Sequence, residues 1–383
     1  MTRVAHVITG LDAGGAEFSL LRLVCAMPEF DHQVISLTSG GALVDEFSQA
    51  GFCPVELGLS RGVGVIRGLF SLGTALKRAK ADVVQTWMCH ADLLGGLAAR
   101  MYTRCPVAWG VHQIGAGSSS PASTRMVQRI CAHLSSRVPN RVVVCSDASK
   151  AFCLDAGYAA DKCVVIYNGV DTEYFKFVAA ERAQLRDELG LGQGEIAVLL
   201  PARWHPDKDH RNFFEAATLV MQATPGLVFL LVGENLGPQN EPLMRAVENT
   251  GRPDAFRLLG FRHDMRSLYS AADLGVLSSR SEALPNVLLE GMACELPFVA
   301  TDAGDTRQII GDHGTVVQTA DARALAAALL ARAKDLTASV QRSPAARARI
   351  CEKYSLASAV SGYAEVYRSL LRGTVDHRVR GVR

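Results

Sequence analysis

Glu282 and Glu290 stand with seven residues between them in the stretch SEALPNVLLEGMA, 281–293. Pro285 suits the first turn of a helix, so the backbone of Leu284, Pro285, Asn286 and Val287 is expected to offer unpaired helix-start amides to a phosphate or a sugar hydroxyl. Glu290 falls about one turn further on, beside Leu288, Leu289 and Met292. A carboxylate in that company is costly unless hydrogen-bonded, and the two hydroxyls of a ribose would satisfy it. Glu282, on the preceding loop, is placed to reach the other end of the same ligand. Upstream, PARWHPDKD at 201–209 sets Arg203 and Lys208 five residues apart on a loop that enters a helix. Two fixed cations there suit a diphosphate and would stabilise charge on its departing oxygens. Asp207 and Asp209 spell a metal-binding D-x-D, but the lysine between them and the nearby arginine suit an anion better. No metal or other cofactor is expected.

A third candidate is GLDAGGAE at 10–17, between a strand and a helix. Gly14 and Gly15 would let a ligand approach the backbone at an anion-favouring helix start. The G-x-G-x-x-G dinucleotide fingerprint is not satisfied, and the second strand ends Ser36-Leu37-Thr38 without a ribose-gripping acid, which argues against NAD. A fourth is His112, just past a strand and at the expected edge of a cleft.

These residues all follow short apolar runs, and the runs alternate with helical patterns along the chain. Strands are expected at 4–9, 33–38, 83–86, 106–110, 142–145 and near 163, then at 196–201, 228–233, 256–260, 274–278 and 298–301. Helices are expected at 15–27, 65–79, 91–102, 122–137 and 147–156, then at 209–223, 240–250, 286–293, 321–334 and 356–371. The alternation predicts two α/β units with parallel sheets. The boundaries fall at 1–170, 171–355 and a terminal helix with a basic tail over 356–383. Ligands bind outside the carboxyl ends of such strands, which is where the candidate loops lie.

The 383 residues carry a net charge of +2, which gives no electrostatic footprint for nucleic acid. The ten cysteines include no C-x-x-C pair and are expected to be reduced, in the cytoplasm. The opening MTRVAHVITG reads as a strand and not as a secretory leader, and no run reaches the length of a membrane span. Arg125, Arg129, His133, Arg137 and Arg141 recur at steps of four, a basic stripe suited to peripheral contact with an anionic membrane on its inner, cytoplasmic face.

Taken together the chain resembles family 4 of the glycosyltransferases, retaining enzymes of the GT-B fold. The residues that carry the likeness are GGAE at 14–17, His112, SDASKAFCLDAGYAADKCVVIYNGVDTEYF at 146–175 and PARWHPDKDH at 201–210. FLLVGE at 229–234, LLGFRHDM at 258–265 and SEALPNVLLEGMACELPFVATDAGD at 281–305 complete it. The resemblance implies two Rossmann-like domains facing across a cleft, with the last helix crossing back to the first domain. It implies that Arg203 and Lys208 bind the diphosphate of a UDP- or GDP-sugar, that Glu290 grips the ribose, and that Glu282 holds a hydroxyl of the sugar. His112 would sit beside the transferring sugar, with Arg203, Lys208 and Glu282 completing the catalytic set. Gly14 and Gly15 would shape the phosphate and acceptor side. Gly233 and Glu234, with Gly260, Phe261 and Arg262, would flank the base. The acceptor would be a glycan or a lipid-linked glycan, in polysaccharide, lipopolysaccharide or glycolipid synthesis. Ala283 and Glu295 stand where the family often has glycine, and 302–305 varies a loose motif. The competing readings are a nucleotide-sugar epimerase of the same fold and a non-catalytic nucleotide-sugar-binding protein. The sequence leaves the donor sugar, the oligomeric state and the choice between ion-pair and covalent retention open.

Overall fold

The computed structural model describes residues 1–59, 65–115, 121–224, 226–338 and 342–380. The chain forms two compact units, one of Met1–Gly169 with the segment from Leu356 onward, the other of Val170–Ser355. In the first, strands β1 (Thr2–Ile8), β2 (Phe30–Ser36), β3 (Val55–Glu56), β4 (Val83–Trp87), β5 (Val107–Val111), β6 (Arg141–Val144) and β7 (Cys163–Val165) make one sheet in the order β3-β2-β1-β4-β5-β6-β7. In the second, β8 (Ile196–Pro201), β9 (Leu227–Val232), β10 (Phe256–Gly260), β11 (Leu274–Leu277), β12 (Phe298–Thr301) and β13 (Thr315–Val317) are ordered β10-β9-β8-β11-β12-β13. The paired strands are parallel throughout. Helices cover both faces, so the inner strands VVQTW, VAWGV, IAVLLP and LVFLLV are buried from end to end and largely apolar, with Gln85 and Thr86 the polar exceptions. These are two Rossmann-like sheets, each with its order reversing beside its first strand, between β1 and β4 and between β8 and β11.

The edge strands β3 and β13 do not appear in the sequence reading. At two and three residues they are too short to show a period. Several helices differ from expectation: Val44–Gln49, Met265–Ala271, Thr306–Ile310 and Pro344–Lys353 do not appear in the sequence reading, and the helix expected at 321–334 runs over Ala322–Ala338. The segment expected at 91–102 is an α-helix over Cys89–Ala98 followed by a π-turn over Ala99–Thr103, closed by Arg104 N–H to Ala99 O at 2.8 Å. The terminal helix runs over Leu356–Arg380, past residue 371; residues 381–383 of the expected tail lie outside the described residues. The helix expected at 122–137 ends at Leu134, where Ser135 Oγ turns back to Ala132 O at 2.7 Å. The basic stripe is therefore shorter than the sequence suggests. Arg125, Arg129 and His133 are exposed on the helix, Arg137 is exposed beyond its end, and Arg141 is a half-buried residue of β6.

Candidate active site

In the second unit, the loop after β8 and the loop after β11 leave neighbouring strands where the order reverses. They bring Lys208 and Glu282 together: Lys208 Nζ lies 2.5 Å from Glu282 Oε1, which also accepts Ser279 Oγ–H at 2.6 Å. Ser278 Oγ donates to Lys208 O at 2.8 Å and Arg280 N–H to Asp207 O at 2.8 Å, so the two loops are stitched along their length. Arg203 stands on the same loop with its side chain exposed and without an ion-pair partner among the described residues. The cation and the carboxylate assigned to opposite ends of a ligand thus form one unit, with Arg203 beside it in sequence as the cation left open.

Asp207 and Asp209 do not form an open metal site. Asp209 caps the helix His210–Ala223 through Asn212 N–H, and its Oδ2 lies 2.5 Å from Arg280 Nε. Asp207 pairs with His205 at 3.5 Å. Among the described residues, no three His, Cys, Asp or Glu side chains cluster in a way that would hold a metal ion.

The helix Asn286–Ala293 spans the expected residues, with Pro285 just before its first turn. Pro285 is its N-cap, and Leu288 N–H is bonded to Pro285 O at 3.0 Å. A proline has no amide hydrogen, so Leu284, Asn286 and Val287 alone carry N–H groups in that stretch. Glu290 is buried on this helix and accepts the hydroxyl of Tyr269 at 3.1 Å. Gly304, in the loop after β12, presses on the Glu282–Ala283 backbone. Its φ is +57°, and a Cβ there would lie 1.9 Å from Glu282 O. Any side chain would push Glu282 away from Lys208. Gly233, at φ +146°, packs against the loop of Arg203 in the same way, with a Cβ falling 2.0 Å from Ala202 O. Glu234 O holds Trp204 N–H at 2.8 Å while its side chain is exposed, and Gly260 O holds Gly233 N–H at 2.8 Å. Phe261 is exposed beside them. Arg262 is already engaged, bidentate to Asp264 at 2.8 and 2.6 Å and paired with Glu188 at 3.2 Å, and these carboxylates raise its pKa. Its guanidinium is committed to these two carboxylates. Sequence reasoning did not single out Ser279, Tyr269 or Gly304; the serines before Glu282 and the glycine in the variable 302–305 loop were the available signals.

A cavity of about 620 Å³ is lined by Trp204, His205, Asp209, Phe214 and Arg280, among others. It does not include Arg203, Lys208, Glu282 or Glu290, so the cavity and the charged constellation are separate features.

In the first unit, Gly14 is the N-cap of the helix Gly15–Ala26. Glu17 folds its carboxylate over Gly14, where a Cβ would lie 2.3 Å from Glu17 Oε2, and Phe18 N–H is bonded to Gly14 O at 3.0 Å. The first glycine is required by that internal carboxylate as well as by any ligand. His112 follows β5. Both ring nitrogens are shut off from solvent without a hydrogen bond of normal geometry, although Asn168 is near enough to favour the charged ring. Burial outweighs Asn168 and pushes the His112 pKa down to about 4, so the imidazole is neutral at pH 7.

The family model described as Glycosyltransferase Family 4 matches residues 13–174, and that described as Glycosyl transferases group 1 matches residues 195–335. Over 95% of this chain and 96% of its own length, the UDP-Gal:alpha-D-GlcNAc-diphosphoundecaprenol alpha-1,3-galactosyltransferase of Escherichia coli is 26% identical. A D-inositol 3-phosphate glycosyltransferase of Segniliparus rotundus is 33% identical over 59% of this chain and 51% of its own. The crystal structure of Anabaena HepE in complex with UDP-glucose superimposes with a TM-score of 0.85 at 23% identity, covering 96% of this chain and all of that one, and establishes the shared fold.

Proposed function

Because the chain belongs to glycosyltransferase family 4 and has the GT-B fold, we propose that it moves a sugar from a UDP-sugar onto a glycan carried on a lipid diphosphate, with retention and without a divalent metal. The observation that carries this reading is the end-to-end similarity to the E. coli galactosyltransferase, whose donor is UDP-Gal and whose acceptor is GlcNAc-diphosphoundecaprenol. Arg203 and Lys208 take the diphosphate, and Glu282 both holds Lys208 and faces a sugar hydroxyl. Glu290 takes the ribose, while the backbone at Leu284–Val287 and the turns at Gly233–Glu234 and Gly260–Arg262 line the donor.

As the C1–O bond to the diphosphate breaks, charge builds on the leaving oxygen, and the two cations stabilise it in place of a metal. An acceptor hydroxyl then bonds to C1 from the face that UDP leaves and passes its proton to the departing phosphate oxygen. His112, being neutral, contributes hydrogen bonds to the sugar and no positive charge. The helix start at Gly14 and Gly15 receives the acceptor phosphate side.

The test is transfer from UDP-Gal, UDP-Glc, UDP-GlcNAc and GDP-Man to a short-chain GlcNAc-diphosphopolyprenol in the presence of EDTA, with the new anomeric linkage read by NMR. An α-linked product from a UDP-sugar is expected. Absence of transfer from every UDP-sugar, a β product, or activity restored only by Mn²⁺ would each refute the corresponding part. Donor consumed without acceptor would point to the epimerase.

A lipid-borne acceptor also calls for a membrane-facing surface. None of the helices among the described residues is long and apolar enough to cross a bilayer. On the helix Ala122–Leu134, exposed Met126 and Ile130 alternate with exposed Arg125, Arg129 and His133. That face is the proposed peripheral contact on the cytoplasmic side. Salt-sensitive flotation with anionic liposomes, lost when Arg125, Arg129 and Arg137 become Ser, is the expected result.

A further inference from the structure

Within the first unit, His112 does not stand alone. Its ring lies stacked on Trp87, with centroids 4.7 Å apart and planes at 20°. Trp87 is the last residue of β4, is 1% exposed, and stacks in turn with Tyr363 of the terminal helix at 5.8 Å and 23°. The strand ends carrying the two rings are tied together. Met88, directly after Trp87, is held at φ +71°, a strained conformation for a residue with a Cβ, and its N–H is bonded to Gly110 O at 2.8 Å. Gly110 N–H is held in turn by the buried Asp92 carboxylate at 3.1 Å.

The indole is also locked in rotation. Trp87 Nε1 lies 3.2 Å from His6 Nδ1, His6 Nε2 lies 2.9 Å from His32 Nδ1, and His32 Nε2 lies 3.0 Å from Met27 O. An indole nitrogen only donates and a carbonyl only accepts, so the direction of this chain is fixed at both ends. His6 and His32 must each carry their proton on Nε2, and the order is Trp87 to His6 to His32 to Met27 O. Both imidazoles are satisfied only when neutral, because a second proton on either Nδ1 would remove the acceptor its neighbour needs. Burial lowers the pKa of both, His6 further lowered by His32, while Met27 O, Glu29 and Asp31 pull His32 the other way. Tyr367 closes the cluster edge-on to His6 at 6.4 Å.

We propose that Trp87 is the positioning residue for His112, and that the one-directional chain through His6 and His32 to Met27 O sets the plane in which Trp87 presents the His112 ring to the sugar. This rests on the reading of His112 as the sugar-side residue of the transfer reaction. Four chain segments far apart in sequence, β1, β2, β4 and the terminal helix, supply the support. Its chemical sense is that a ring whose nitrogens make no hydrogen bond of normal geometry takes its orientation from the face it stacks on.

The experiment uses the full chain with ¹⁵N-labelled histidine, and assigns the His112 signals by their absence in His112→Ala. Trp87→Phe keeps a ring but removes the indole N–H. His6→Leu removes the acceptor, and His6→Asn places an amide oxygen close to the position of Nδ1. In Trp87→Phe and His6→Leu the His112 ring signals are expected to shift and its pKa to rise from about 4, with kcat at least about tenfold lower and the affinity for bare UDP unchanged. His6→Asn is expected to restore kcat to within about threefold of the parent chain. If His112→Ala itself retains full turnover, the reading of His112 is wrong. If it is inactive while folded Trp87→Phe and His6→Leu keep the parent His112 signals and kcat, the positioning role alone is overturned. Should either substitution prevent folding, the other and the His6→Asn rescue decide the question.

Discussion

Lys208 and Glu282 touch, so what either does is conditional on the other. Removing the lysine leaves a half-buried carboxylate that still accepts Ser279 Oγ–H and takes away one of the two cations at the proposed diphosphate. Lys208→Ala is therefore expected to lower kcat by about 10²-fold or more, as does loss of an oxyanion donor; turnover within a few-fold of the parent would exclude the role. Glu290 gives a cleaner division of labour. Glu290→Ala should weaken binding of bare UDP measured by calorimetry, whereas Glu282→Ala should spare it and damage transfer. Tyr269→Phe, which removes just the hydroxyl that Glu290 accepts, controls for packing. Asp92 reports on pH. It is fully buried, accepts Thr86 Oγ1–H at 2.5 Å and Gly110 N–H at 3.1 Å, and burial raises its pKa from 3.8 to about 8. An acid whose folded pKa is raised binds its proton more tightly in the folded chain. It therefore costs nothing below about pH 4, and its cost grows as pH rises from 4 through 8. Asp92→Asn has no proton to lose. Urea unfolding at pH 5 and pH 8 should show the parent losing stability relative to the variant, and parallel profiles would contradict the shift.

At the scale of elements, what was legible in the sequence is what a period can carry. The strands β8, β10 and β12 and the helices over 65–79 and 286–293 lie where the apolar patterns put them, because buried runs and amphipathic stripes are local signals. The two edge strands, the π-turn and the early end of the helix Ala122–Leu134 depend on partners or side-chain bonds that no pattern announces. The site divides in the same way. Arg203, Lys208, Glu282 and Glu290 were visible by type and spacing, but the ion pair between two of them and the collar at Gly304 exist only through tertiary contact. Glu295 shows a sequence oddity acquiring a physical meaning. It follows the helix Asn286–Ala293 at φ +62°, its N–H bonded to Met292 O at 3.0 Å and Leu296 N–H to Gly291 O at 3.0 Å. That is a left-handed C-terminal cap, the conformation glycine adopts without strain, and the family often has glycine there. Glu295→Gly is expected to raise stability by about 0.5–1 kcal/mol, less whatever entropy glycine adds to the unfolded chain. A lower urea midpoint at unchanged m-value would show that the Glu295 side chain contributes more than the strain costs.

For the whole molecule, the chain enters and leaves the second unit at one point. Val170 pairs with Ser355 in a parallel bridge, its N–H is bonded to Tyr354 O at 3.0 Å, and the Arg347 guanidinium holds Thr172 O and Phe175 O, each at 2.8 Å. Ends held side by side are what an inserted domain that folds alone requires. The first unit is in the opposite position, because its last helix comes from beyond the insertion. Ala359, Tyr363, Ala364, Val366, Tyr367 and Leu370 are buried in the same core as Val4, Ile8, Leu20 and Trp87. Burying a large apolar side chain contributes roughly 1.5–3 kcal/mol, so the four large residues of this helix carry on the order of 6–12 kcal/mol. Total domain stability is itself about 5–15 kcal/mol. A chain of residues 1–169 is accordingly expected not to fold, and its core face, with Trp87 and His6 exposed, should bind a hydrophobic dye. Joining residue 169 to residue 356 through a short Gly/Ser linker should restore one cooperative thermal transition, since Gly169 already packs against the Leu356 backbone. Residues 170–355 by themselves should unfold cooperatively and show a rise in Tm with bare UDP, because all the proposed nucleotide ligands lie within them. Cooperative folding of 1–169 alone would mean that the terminal helix is an accessory to the first unit. Failure of 170–355 to respond to UDP, while the whole chain does, would show that the nucleotide needs residues of the first unit as well.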